Sequence, residues 1–235
     1  MMGKGEKLLE LAEIRSCRFV RRINRFTAEV LVGGKRRKAS LNNTGRLEEL
    51  LEPGRVVYCM PGGGRLPLRL FAVGESGSGS VIDTRLQAAA FEMAMSRGLL
   101  PRLSGYRVAR RNVRMGRSVI DYELDGERKI LLELKSAVLR RGGLASYPDC
   151  PTERGRRQVQ DLIEWIRSGG AGMLFFVTSL RDVRGITLNA EADPELRDLV
   201  EKAARAGLRL GGMNISFRPS DSGILLEDPD IPVLL

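Results

Sequence analysis

Three ionisable residues stand where apolar ones would be expected. Asp121 interrupts the run "SVIDYEL" (118–124), and Glu133 and Lys135 interrupt "KILLELKS" (129–136). Carboxylates held among apolar neighbours are costly unless a partner compensates them. In an extended strand, residues two apart share a face. Leu131, Glu133 and Lys135 therefore project together, and Ile130, Leu132 and Leu134 take the opposite side. Whether Asp121 joins the acid and the amine depends on the connection. A loop from Asp125 to Lys129 opposes Leu124 to Ile130 and Asp121 to Glu133, with Cβ atoms roughly 5 Å apart. A two-residue turn at Asp125-Gly126 would instead turn Asp121 away, so the longer loop is the reading with a chemical use. Two adjacent carboxylates repel, and a divalent cation relieves the repulsion. Mg²⁺ prefers one or two carboxylates and keeps several waters. Water held this way becomes acidic enough to attack a phosphodiester. Lys135 is placed to orient that water or to neutralise charge developing on the phosphate. The chemistry expected is phosphodiester hydrolysis with Mg²⁺ or Mn²⁺ held by Asp121 and Glu133. E-x-K alone is common in charged chains, where it forms a cross-face ion pair; Asp121 and the apolar flanks separate this instance from that one.

Composition narrows the alternatives. The 235 residues include no histidine and three scattered cysteines, Cys17, Cys59 and Cys150. A structural zinc site lacks its usual ligands, and Ser-His-Asp or Cys-His catalysis is excluded. The net charge is +10, carried largely by arginine clusters such as "RFVRRINR", "GGKRRK", "VARRNVRMGR" and "ERGRR". Such a field attracts polyanions, which points to DNA or RNA as partner. Arg21, Arg22, Arg36, Arg37 and Lys38 suit contacts to a phosphate backbone, which bind without reading sequence. No apolar run reaches the roughly 18 residues of a membrane span, and the N-terminus lacks the apolar stretch of a signal peptide. We expect a soluble, cytoplasmic protein with no membrane partner.

The elements fall into two groups. Up to about residue 76 the chain reads as three strands, a short helix at about 44–52 and two more strands, the order of an OB barrel. Gly33-Gly34 makes a tight turn. "GESGSGS" (74–80) has the composition of a flexible linker and divides the expected domains, 1–76 and 81–235. After it come a helix at about 84–98 capped by Asp83, strands at about 106–114, 118–124 and 129–137, and a helix at about 152–167. The fully apolar strand "GMLFFVTSL" follows, then a helix opened by Asp193-Pro194 and a last strand "MNISFRP". The fold class expected is α/β (α+β): a barrel followed by a mixed-sheet domain.

Further candidates sit on these elements. Glu92, on a helix face of small and apolar residues, is either a further metal or water contact or the partner of an arginine. Glu153 and Arg154 open the helix after the loop; Glu153 either suits the helix dipole or bonds to Lys135 or the metal, with Arg154 on a phosphate. Gln158, one turn on, is placed to face the acids. Asn43 and Thr44 precede the expected short helix, as caps or as a phosphate site at its N-terminus. Tyr147, Phe19 and Phe26 offer rings for base stacking or simple packing, and Asp149 is a weaker candidate ligand.

Several of these segments together resemble a known family. "IDYEL" and "LLELKS", in the order α-β-β-β-α-β, look like the PD-(D/E)xK nuclease superfamily. "NNTGRLEELLEPG" (42–54), "VIDT" (81–84) and "YPDCPTERGRRQ" (147–158) are similar to segments of the sugar fermentation stimulation protein A family. The resemblance implies an N-terminal OB-like domain holding nucleic acid and a restriction-endonuclease-like nuclease domain. Asp121 and Glu133 would bind the metal, the Leu134 carbonyl would complete its shell, and Lys135 would be the catalytic lysine. The chain departs from the family pattern at Gln158, where histidine is usual, and at Ala88, where asparagine is common. The rival readings are a DNA-binding regulator of gene expression without turnover and a small-molecule enzyme using the acid pair.

Overall fold

The computed structural model describes residues 5–235. The first four positions of the expected 1–76 domain lie outside the described residues. A strand not anticipated from the sequence, β1 (Glu6–Glu10), comes first. Then β2 (Arg15–Asn24), β3 (Thr27–Val32), β4 (Lys35–Leu41), β5 (Val56–Pro61) and β6 (Leu68–Glu75) close a small barrel. β2 pairs antiparallel with β3 and β5, β3 with β4, and β5 with β6, while β4 and β6 complete the circuit in parallel. Alternation drives the closure. Ala28, Val30, Ala39, Val57, Cys59 and Leu70 are fully buried inside, and the arginines between them face water.

The short helix expected at 44–52 is absent; a single turn takes its place. Leu47 has positive φ (55°) and its carbonyl accepts the Leu51 N–H at 2.8 Å. The amides that would start a helix are bound elsewhere. Gly45 N–H donates to the Asn43 side chain at 2.9 Å, and Leu47 N–H to Asp149 at 3.2 Å. Leu47, Leu50 and Leu51 are nonetheless buried, so their apolar spacing reported packing rather than helix.

The Gly/Ser run is not a flexible linker. β6 runs on to Glu75, Ser76 and Gly77 turn with positive φ, and β7 (Ser78–Val81) returns antiparallel. Gly79 pairs with Phe217, and a Cβ there would meet the Phe217 ring at 3.0 Å, so the glycine marks a close approach. Through β7 the barrel sheet runs unbroken into the second half.

There α1 (Thr84–Ser96) is capped by Asp83, whose carboxylate accepts from Arg85 N–H and Leu86 N–H. β8 (Arg107–Met115), β9 (Ser118–Asp125) and β10 (Ile130–Ser136) form an antiparallel meander. β11 (Leu139–Arg141) and β12 (Leu144–Tyr147) lead to α2 (Glu153–Arg167), then β13 (Ala171–Thr178), β14 (Ile186–Leu188) and α3 (Pro194–Arg205). β15 (Arg209–Arg218) is not the last strand: β16 (Gly223–Asp228) and β17 (Val233–Leu234) follow. β13 lies parallel between β10 and β15 and every one of its residues is buried, as its unbroken apolar sequence requires. β16 joins β15 to β1, so the N-terminal strand packs with this half and not with the barrel. A smaller sheet has the order β11-β12-β14-β17. The architecture is an N-terminal OB barrel joined to a mixed α/β domain.

Candidate active site

The register of β9 and β10 settles where Asp121 points. The strands pair Ile130 with Leu124 and Leu132 with Tyr122, as a loop across 125–129 requires. One step further, Asp121 faces Glu133. There side chains replace the backbone ladder: Leu134 N–H donates to Asp121 Oδ2 at 2.9 Å, and Asp121 N–H to Glu133 Oε2 at 3.2 Å. The two strands thus each present a carboxylate to the same gap. The apolar neighbours hold them there, because Ile120, Leu124 and Leu132 are fully buried.

Lys135 completes the group. Its ammonium donates to Glu133 Oε1 and to Gln158 Oε1, both at 2.8 Å. Gln158 in turn donates to the Val119 carbonyl at 3.0 Å, so one amide ties α2 to both strands of the site. The lysine lies 5.9 Å from the centre of the Tyr147 ring. These groups line a cavity of about 300 Å³, with Thr84, Gln87 and Ala88 from α1 on one side and Arg154 at the mouth. Glu133 is only 3% exposed and Lys135 7%.

Burial dominates the electrostatics. It pushes the Asp121 carboxyl above the ordinary range, against the opposing pull of Leu134 N–H, Lys135 and Arg154. Burial pushes Glu133 up as well, and the Lys135 charge only partly offsets it. Burial alone would lower the Lys135 pKa, but Tyr147, Glu133 and Asp121 outweigh it and hold the ammonium above the ordinary lysine value. With both acids ionised, the two carboxylates and the one buried ammonium leave a net negative charge at the site. An all-oxygen donor set of two carboxylates and a nearby main-chain carbonyl fits a hard divalent cation that keeps several waters. Among the described residues no group of three or more His, Cys, Asp or Glu gathers as a richer metal site.

Other residues singled out in the sequence are placed differently. Glu92 is not among the residues lining the cavity. Arg111 of β8 takes both its oxygens, at 2.8 and 2.6 Å, and holds its carboxyl below the usual range. Glu92 shares its helix face with Ala88, which lines the cavity, but lies one turn further along, against Arg111 of the edge strand. Arg22 does not extend into solvent. Its guanidinium donates to the carbonyls of Asn24, Arg25, Asn43, Gly45 and Arg46. Arg21 and Arg36 share Glu29, while Arg37, Lys38 and Thr44 are exposed. Asn43 is buried and donates to the Ile82 carbonyl at 3.1 Å; with no helix after it, the phosphate site expected at a helix N-terminus does not form. Asp149 accepts from Leu47 N–H and serves the barrel loop. Phe19 is core, whereas Phe26 faces water. Thr84 and Gln87 were missed as cavity residues; their position in the first turn after the Asp83 cap, just ahead of Ala88, was the available signal.

Comparison with known proteins decides the family. Residues 20–82 match the model of the SfsA N-terminal OB domain, and residues 85–221 that of the sugar fermentation stimulation protein RE domain. The chain is 39% identical over 216 residues to the sugar fermentation stimulation protein homolog of Pyrococcus furiosus, covering 91% of this chain and 94% of that one. The chain belongs to the sugar fermentation stimulation protein (SfsA) family. The Archaeoglobus fulgidus homolog is 40% identical over 230 residues, covering 97% of this chain and all of its own. The solved structure of Pyrococcus furiosus SfsA in complex with Ca²⁺ superimposes with a TM-score of 0.93 at 36% identity, covering 97% of this chain and 99% of that one. Among the described residues no helix is long and apolar enough to cross a membrane.

Proposed function

We propose that this SfsA-family chain is a metal-dependent nuclease that hydrolyses phosphodiester bonds of DNA or RNA. The observation that carries the reading is the meeting of Asp121, Glu133 and Lys135 in one cavity, with the ammonium 2.8 Å from the Glu133 carboxylate. The Ca²⁺ in the solved Pyrococcus furiosus relative supports a divalent site in this fold. Asp121, Glu133 and the Leu134 carbonyl would hold the cation, and Mg²⁺ or Mn²⁺ would supply Lewis-acid charge and a more acidic water. The protein's own residues do the rest. Lys135 presents a fixed positive charge toward the reacting phosphate, and Gln158 keeps that ammonium from swinging out of line. Arg154, at the mouth, is free to meet a neighbouring phosphate. Because Glu133 and Lys135 are buried, their charges act more strongly than they would in water.

The test is incubation of purified protein with labelled single- and double-stranded DNA and RNA, with Mg²⁺, Mn²⁺ or chelator. Cleavage that needs the divalent ion and disappears in Asp121→Ala, with nucleic-acid binding kept, is the expected result. A folded, contaminant-free sample that cuts no substrate with either ion would leave binding without turnover as the function.

A further inference from the structure

The acid cavity does not end at the acids. Its lining residues Ser136, Tyr147 and Thr152 also line a second cavity, of about 140 Å³. That space is built by both halves of the molecule, with Asn43, Thr44 and Gly45 of the barrel facing Ser146, Asp149 and Cys150. Ser146 is 2% exposed and its hydroxyl has no partner among the described residues. Beyond the barrel loop lies the tip of the β2–β3 hairpin. Arg22 fixes the two together, donating to the carbonyls of Asn24 and Arg25 in the tip at 3.2 and 3.0 Å, and to Asn43 and Arg46 in the loop at 3.2 and 2.6 Å.

Two kinds of side chain leave this clasp for solvent. Phe26 is 56% exposed, the most exposed large apolar side chain among the described residues. The Arg25 guanidinium lies 5.8 Å from its ring centre. Among the described residues neither Arg25 nor Arg46 has a carboxylate at ion-pair distance, and the charges of both reach Cys150 in the wall of the second cavity. An exposed ring beside cations that have no carboxylate partner among the described residues matches a base flanked by phosphates. An unpaired base can stack on it at little cost, whereas bases inside a duplex are already stacked on one another.

We propose that single-stranded nucleic acid runs from the acid pair, past the cavity lined by Asn43–Gly45 and Ser146–Cys150, to the hairpin tip, where a base stacks on Phe26 and phosphates meet Arg25 and Arg46. The track rests on reading the acid pair as the nuclease centre. It makes the barrel a wall of the active site, and it assigns strand preference to an exposed ring far from the metal ligands in sequence.

The test measures binding in chelator, where turnover does not intervene. Short labelled single strands and the matching duplex are titrated against wild type, Phe26→Ala and Phe26→Tyr, with anisotropy as readout. The single strand should bind more tightly than the duplex. Phe26→Ala should weaken single-strand binding about tenfold, and Phe26→Tyr should restore it. Quenching of 2-aminopurine in the strand should vanish in Phe26→Ala. Single-strand affinity within about twofold of wild type in Phe26→Ala, or a duplex bound as tightly as the single strand, would overturn the track. Single-strand binding that depends on Phe26 in a protein that never cleaves would support the track and defeat the nuclease reading.

Discussion

Glu133 and Asp121 are acids that the fold makes reluctant to ionise, and this reluctance has a measurable sign. Each carboxyl is held above its ordinary pKa by burial. The folded state therefore binds more protons than the unfolded chain just above the ordinary carboxylate range. Their contribution to stability is present at low pH and is lost as pH rises through the raised values. A divalent cation works the other way, because it requires both groups deprotonated. Added Mn²⁺ should thus raise the melting temperature more at about pH 8 than at about pH 5. The difference should disappear in the double variant Asp121→Asn, Glu133→Gln. Equal shifts at both pH values in wild type would show that the ion binds away from these acids.

Among the elements, α1 depends on one side chain that serves both halves of the molecule. Asp83 is fully buried; one oxygen caps α1 at 3.0 Å from Arg85 N–H and Leu86 N–H. The other lies 3.1 Å from Arg69 of the barrel, an ion pair off the alignment of a hydrogen bond. Asp83→Ala removes the cap and strands a half-buried guanidinium, and should cost about 3 kcal/mol in urea unfolding. A loss of only about 1 kcal/mol, that of the cap alone, would show that the Arg69 pair adds nothing. The elements also show where the sequence was readable. α1, α2 and α3 carried caps and apolar stripes, and β13 an unbroken apolar run, so their positions followed from local pattern. The opposition of Asp121 and Glu133 was readable because one loop length placed both on the same face. The turn at 45–51 was not, since the groups that divert its amides, Asn43 and Asp149, act partly across the domain junction. The run 74–80 misled for a related reason. Gly79 is there for the approach of Phe217 and Gly77 for a turn with positive φ, neither of them visible in composition. β1 was hidden because its partner, β16, lies at the far end of the chain. Of the site, the acids and lysine were legible from their apolar surroundings, but the engagement of Glu92 by Arg111 and of Arg22 by backbone carbonyls needed three dimensions.

For the whole molecule, a charge of +10 sits mostly on exposed arginines, and many of them already face carboxylates. What remains is a sequence-independent attraction for polyanions. Binding to nucleic acid should weaken by on the order of 10³ between about 50 and 200 mM salt if about six phosphates are contacted. A nearly flat salt dependence would mean that the basic surface does not hold the substrate. Because the barrel sheet continues through β7 into β15, the halves are not beads on a string. The barrel loop and the acid cavity keep a fixed relation, as the proposed track requires.

The claim on which the rest stands is that the Asp121–Glu133 gap holds one divalent cation beside Lys135. Anomalous diffraction from crystals soaked in Mn²⁺ measures this directly. The account predicts a peak bonded to both carboxylates and to the Leu134 carbonyl, lost in Asp121→Ala. A peak elsewhere, or none in the gap with both carboxylates still bound to main-chain amides, would contradict it.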